Sequence, residues 1–157
     1  MDLEPVVEDV VRQFADTPGA LLPILHGVQH AVGYIPREAV PRIAAALNLS
    51  RAEVHGVVSF YHEFRDTPAG RHTLKICRAE SCQAVGAEAL VSEATSRAGI
   101  ALGGTSADGQ LTVEPIYCLG LCALSPAIMV DDQVHARVTP AQLDAILDAV
   151  LEPGPVA

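Results

Sequence analysis

The sequence predicts an α+β chain in two parts: a helical bundle over residues 1–68 and a small β-α-β-β-β-α domain over residues 71–157. Three observations carry that prediction. Apolar residues recur at helical spacing as far as Phe64, then switch to strand-like alternation after the breakers Pro68 and Gly70. Two capping boxes, Ser50 with Glu53 and Thr139 with Gln142, mark helix starts. All four cysteines fall in the second part, inside two short stretches, "CRAESC" and "CLGLC".

In the first part, "LEPVVEDVVRQF" places Val6, Val7, Val10, Val11 and Phe14 on one helical face. Thr17-Pro18 predicts an N-cap with proline at the first helical position. The helix that follows turns Leu21, Leu22, Leu25, Val28 and Val32 inward and stops at Gly33. "REAVPRIAAALN" predicts a third helix, ended by Asn48, and the Ser50 box opens a fourth, "RAEVHGVVSFYHEF".

In the second part, "HTLKIC" alternates as a strand running into Cys77, and "CQAVGAEALVSEATSRAG" reads as one helix from near Cys82 to Gly99. "GGTSADGQ" is a turn, since it lacks the Lys-Ser/Thr ending of a phosphate loop and precedes a strand. "LTVEPIYC" runs into Cys118, and "AIMVDDQVHARV" is a hairpin around Asp131, Asp132 and Gln133. A last helix after Thr139 carries Leu143, Ile146, Leu147, Val150 and Leu151 inward, leaving "EPGPVA" as a tail. This order is that of a small thioredoxin-like sandwich.

Composition narrows the function classes. A net charge of −9 argues against nucleic acid, whose phosphates need Lys and Arg, and suits polar docking to a protein partner. No apolar run approaches the roughly 20 residues of a membrane span. The start "MDLEPVVEDVV" is acidic and lacks the basic residues and apolar core of a signal peptide, which predicts a cytoplasmic protein with reduced thiols.

The cysteines follow the pattern C-x4-C (Cys77, Cys82) and, after residues 83–117, C-x3-C (Cys118, Cys122). Structural disulfides are disfavoured in a reducing compartment. A thioredoxin-type redox pair needs C-x-x-C, which is absent. Structural zinc takes four thiolates but usually through tighter C-x2-C knuckles. A [2Fe–2S] cluster also takes four thiolates, two at each iron, and suits two separate loops that clamp its two ends. Gly120 lets the backbone come close, and a helix starting near Cys82 would aim its positive end at the sulfurs. Spacing alone leaves cluster and zinc both standing, with the cluster preferred.

"GYIPREAV", "AEVHGVVSFYHEF", "HTLKIC" and "CLGLCALSPAIMV" resemble a known family, the thioredoxin-like [2Fe–2S] subunit shared by NAD-linked electron-transfer complexes. These complexes include respiratory NADH dehydrogenase, bidirectional NAD-linked hydrogenases and molybdenum-containing NAD-dependent formate dehydrogenases. The resemblance implies a helical domain ahead of a thioredoxin-like [2Fe–2S] ferredoxin domain. It also implies one [2Fe–2S] cluster on Cys77, Cys82, Cys118 and Cys122, with FMN and NAD(H) on a flavoprotein partner subunit. Within the family, the short chain and "CRAESCQAVGAEAL" look most like the formate dehydrogenase gamma subunit, which reaches a larger iron–sulfur/molybdenum subunit through the flavoprotein. Respiratory members more often show Thr-Ala-Cys where this chain has Glu80-Ser81-Cys82.

On this reading the chain is a non-catalytic electron-transfer subunit. Its acidic surroundings imply a potential of about −400 mV, as in plant-type ferredoxins, offset in part if Lys75 and Arg78 turn towards the cluster. The rivals are a zinc-stabilised adaptor without a redox role and a free-standing ferredoxin, the latter disfavoured by the helical half. His26 and His30 sit at i, i+4 but have no evident third ligand, so a solvated pair is expected. "VVSFYHEF" is expected to pack in the core and becomes a partner surface if exposed.

Overall fold

The computed structural model describes residues 3–14 and 16–151, so the stretch "EPGPVA" lies outside the described residues. The chain divides into two compact units, one up to Pro68 and one from Ala69 onward. Among the described residues no helix is long and apolar enough to cross a membrane.

The first unit holds four helices: α1 (Leu3–Gln13), α2 (Leu21–Val32), α3 (Ala39–Ala46) and α4 (Arg51–Phe60). Their shared core is Val7, Ile24, Leu25, Val28, Ile35, Ile43 and Val54, with Val10, Val11 and Phe14 half-buried against it. The helix expected from Pro18 starts instead at Leu21, because Gly19 adopts the left-handed φ of 69° that an α-helix cannot include. Ile24 therefore joins Leu25 and Val28 at the centre, while Leu21, Leu22 and Val32 sit at its margin. Gly33 ends α2 as expected, its N–H bonding the Gln29 carbonyl at 2.7 Å.

The Ser50 box is present in both directions. The Glu53 N–H donates to Ser50 Oγ at 3.1 Å, and the Ser50 N–H donates to Glu53 Oε2 at 2.8 Å. The Ser50 N–H and, after it, the Ser50 hydroxyl, which also lies 2.8 Å from Glu53 Oε2, hold the Glu53 carboxyl below its ordinary pKa of 4.5. Helix α4 stops at Phe60, short of "YHEF". Phe64 returns to the core, but Phe60 is 72% and Tyr61 43% exposed, so the aromatic run is divided between core and surface.

The second unit runs β1 (His72–Cys77), α5 (Glu80–Ala84), α6 (Ala87–Ala98), β2 (Leu111–Ile116), a 3-10 turn (Cys122–Leu124), β3 (Ala127–Val130), β4 (Gln133–Ala136) and α7 (Pro140–Leu151). The sheet order is β2-β1-β3-β4, with β1 and β2 parallel and the other neighbours antiparallel. A parallel pair needs a long crossover, which α5 and α6 supply. Pro115 lies in β2, an edge strand, where its missing N–H breaks no inner ladder.

The single helix expected from Cys82 to Gly99 is two. Gly86 takes φ 100°, a left-handed conformation that closes α5 and caps α6. Cys82 thus lies within a five-residue helix, and no long helix begins at it. Beneath the sheet's apolar residues Leu74, Ile76, Val113 and Ile128 pack Leu90 and Ala94 of α6 with Leu143 and Leu147 of α7. Arg97 joins the two helices through Asp144 at 3.2 Å and through Asp148.

The capping box at Thr139 also forms. The Gln142 N–H donates to Thr139 Oγ1 at 3.3 Å, while the Thr139 N–H donates to Gln142 Oε1 at 2.9 Å. Replacing Thr139 by Ala removes the first of these, at an expected cost of about 1 kcal/mol. Urea unfolding that reads the two units separately should show the loss in the second unit alone.

Candidate cysteine site

The parallel register of β1 and β2 builds the site. Cys77, the last residue of β1, stands opposite Ile116, the last of β2. Cys118 follows two residues beyond, so both strands release a cysteine at the same edge of the sheet. Helix α5 brings Cys82 back beside Cys77, and the 3-10 turn begins at Cys122.

The four thiols divide by environment. Cys77 and Cys82 are each 2% exposed, in an apolar cluster with Ala87 and Ala127 and flanked by Ile116, Leu119 and Leu121. Cys118 and Cys122 face solvent, with their sulfurs 3.6 Å apart. All four are free thiols. The Gly120 N–H donates to Cys118 Sγ at 3.3 Å, as a close backbone approach allows. Cys118 itself adopts φ 106°, which costs a non-glycine residue about 1–3 kcal/mol and is a kind of strain that collects at functional loops.

Electrostatically the thiols sense one another. Burial pushes the Cys82 thiol up, yet hydrogen bonds with Ser125, the Ala127 backbone and Cys77 outweigh it and leave the pKa below its ordinary 9.0. Cys122 is raised above that value, first by its hydrogen bond with Cys118 and then by the charge of Cys118, with smaller contributions from burial, Cys82 and Cys77. A cation held by thiolates at these positions would relieve that mutual repulsion.

Two serines link the cysteine loops. Ser81 Oγ and Ser125 Oγ each donate to the Cys122 carbonyl at 2.9 Å and lie 3.0 Å from one another. Ser125 Oγ is also 3.4 Å from Cys82 Sγ. Sequence reasoning missed Ser125; the only signal was its place three residues past Cys122 in "CALSP".

The Arg78 guanidinium turns to a carboxylate and not to the sulfurs. Arg78 is held by Glu88 of α6, at 2.9 Å from Nε and 2.7 Å from Nη2. Lys75 stands opposite Glu114 in the β1–β2 register. His26 belongs to the first unit, is exposed, and packs its ring 4.9 Å from that of Phe64. The "GGTSADG" segment is a turn, pinned where Asp108 accepts from the Gln110 N–H at 3.0 Å.

Among the described residues, no three His, Cys, Asp or Glu side chains converge as a single metal ion requires. The thiols form two pairs on facing loops. That donor set fits a [2Fe–2S] cluster, which takes two thiolates at each of two irons.

Comparison with known proteins agrees with this geometry. The model of the thioredoxin-like [2Fe-2S] ferredoxin family matches residues 7–151. The chain is 36% identical over 143 residues to an NADH-quinone oxidoreductase subunit of Pseudomonas aeruginosa, covering 91% of this chain and 86% of that one. It is 33% identical over 147 residues to the HndA subunit of the NADP-reducing hydrogenase of Solidesulfovibrio fructosivorans, covering 92% and 86%. A solved structure of an NAD+-reducing [NiFe]-hydrogenase in the H2-reduced state aligns with TM-score 0.72 at 26% identity. That alignment covers 87% of this chain but only 23% of the hydrogenase chain.

The division of the thiols predicts their reactivity. Access outweighs the order of the pKa shifts, so in the metal-free chain iodoacetamide should label exposed Cys118 and Cys122 about tenfold faster than buried Cys77 and Cys82, as read by peptide mass spectrometry. Equal rates at all four would contradict the burial described.

Proposed function

The chain belongs to the thioredoxin-like [2Fe-2S] ferredoxin family, and we propose that Cys77, Cys82, Cys118 and Cys122 hold the family's cluster, two thiolates to each iron. The observation that carries this is the parallel β1–β2 register, which delivers both cysteine loops to one sheet edge. When bound, a [2Fe–2S] cluster supplies reversible one-electron transfer. The protein's residues do the rest. Cys77 and Cys82 anchor from the apolar side, Cys118 and Cys122 present the solvent side to a partner, and the Gly120 N–H steadies the Cys118 sulfur.

The role that follows is an electron-transfer subunit of an NAD-linked oxidoreductase, seated against a flavoprotein that binds FMN and NAD(H). The exposed Phe60 and Tyr61 offer an apolar contact for such a partner. The finer assignment is to an NAD-dependent formate dehydrogenase with a larger iron–sulfur/molybdenum subunit, supported by "CRAESCQAVGAEAL". A second reading, the same role in an NADH:quinone oxidoreductase or NAD-linked hydrogenase, is favoured by the names of the relatives above. The zinc adaptor is disfavoured by the arrangement of the thiols in two pairs.

Replacing Cys118 or Cys122 by Ser should lower bound iron by at least half, while the far-UV signal of the helical unit is retained. Full iron content in all four single Cys→Ser variants would overturn the ligand assignment. Affinity purification from the native host separates the complexes. Molybdenum and formate-dependent NAD+ reduction in the eluate support the formate dehydrogenase, whereas quinone or hydrogenase activity without formate oxidation moves the chain to the second reading.

A further inference from the structure

We infer that Ser125 is a positioning residue for the cluster, turning its hydroxyl onto the sulfur of Cys82 and raising the reduction potential, with Ser81 freeing it to do so. This rests on the cluster reading above.

A serine hydroxyl donates one hydrogen bond and accepts two. Ser125 Oγ has three neighbours in range: the Cys122 carbonyl at 2.9 Å, Ser81 Oγ at 3.0 Å and Cys82 Sγ at 3.4 Å. While Cys82 is a thiol, its S–H donates to Ser125, and the Ser125 hydrogen is available to the Cys122 carbonyl. As a ligand, Cys82 is a thiolate with no hydrogen to give and with lone pairs to fill. Ser125 is the side-chain donor beside it, and Cys82 is too buried for bulk water to take that place.

Turning Ser125 onto the sulfur leaves no polar group orphaned. The Cys122 carbonyl keeps the Ser81 hydroxyl, which already lies 2.9 Å away. Without Ser81 the carbonyl would hold Ser125 for itself. The two serines thus act as a pair, with one satisfying the carbonyl so that the other can serve the sulfur. A hydrogen bond to an anionic sulfur is stronger than one to a neutral acceptor. Reduction adds negative charge that the sulfurs share, so a donor there favours the reduced form and raises the potential. Arg78 is engaged with Glu88, which leaves this hydroxyl as a principal local source of positive dipole near Cys82.

The test is an EPR-monitored redox titration of the full chain and three variants, with iron measured in each. Ser125→Ala should keep its iron and shift the midpoint to more negative potential, beyond the spread of repeat titrations. Ser125→Thr, which keeps the hydroxyl, should titrate close to the unsubstituted chain. Ser81→Ala should move the midpoint in the same direction as Ser125→Ala by drawing Ser125 back to the carbonyl. A fully loaded Ser125→Ala protein with an unchanged midpoint overturns the inference. If that variant fails to load, Ser81→Ala decides, and an unchanged midpoint there overturns it equally. Iron missing from the unsubstituted chain overturns the cluster reading itself, and this inference with it.

Discussion

Parallel pairing of β1 with β2 is the constraint on which the cysteine site depends. Antiparallel neighbours would release their chain ends at opposite edges of the sheet. Parallel ones release them side by side, so the register that sets Cys77 opposite Ile116 also sets "CLGLC" beside "CRAESC". The pairing is bought with a crossover, and the crossover is where α5 carries Cys82 back to Cys77. Packing of Leu90 and Ala94 with Leu143 and Leu147 against the sheet then fixes the scaffold on which the loops stand.

Around that frame the environment of the sulfurs is asymmetric. Two lie in an apolar cluster and two face solvent. A buried pair is sheltered from competing water and from exchange, whereas an exposed pair lets a partner approach within a short distance for electron transfer. The strain at Cys118 and the serine bridge between the loops are consistent with a site organised before its cofactor arrives. Such preorganisation limits the movement that loading requires.

Much of the fold is legible in the sequence because its signals are local. The change of apolar period near Pro68, the boxes at Ser50 and Thr139, and the stop at Gly33 each depend on neighbours only a few residues away. The errors arise where one glycine conformation decides. A glycine within an apolar-periodic run is tolerated by a helix, so nothing in the sequence separates Gly86, which breaks the run, from Gly56, which does not. The same holds for the start of α2 beyond Gly19. The four cysteines are legible as a set from spacing and resemblance. Their division into buried and exposed pairs, and the serines between the loops, are through-space consequences of strand register and appear only in the folded chain. The exposure of Phe60 beside a buried Phe64 is likewise decided by where α4 ends.

We propose that the two cysteine pairs bind two irons instead of one zinc. Iron, sulfide and zinc analysis of anaerobically purified protein, with EPR of the dithionite-reduced sample, tests it most directly. About two irons and two sulfides per chain, with a spin-half signal on reduction, are expected. One zinc, no colour and no signal would contradict this assignment and leave a thioredoxin-like scaffold that binds metal without carrying electrons.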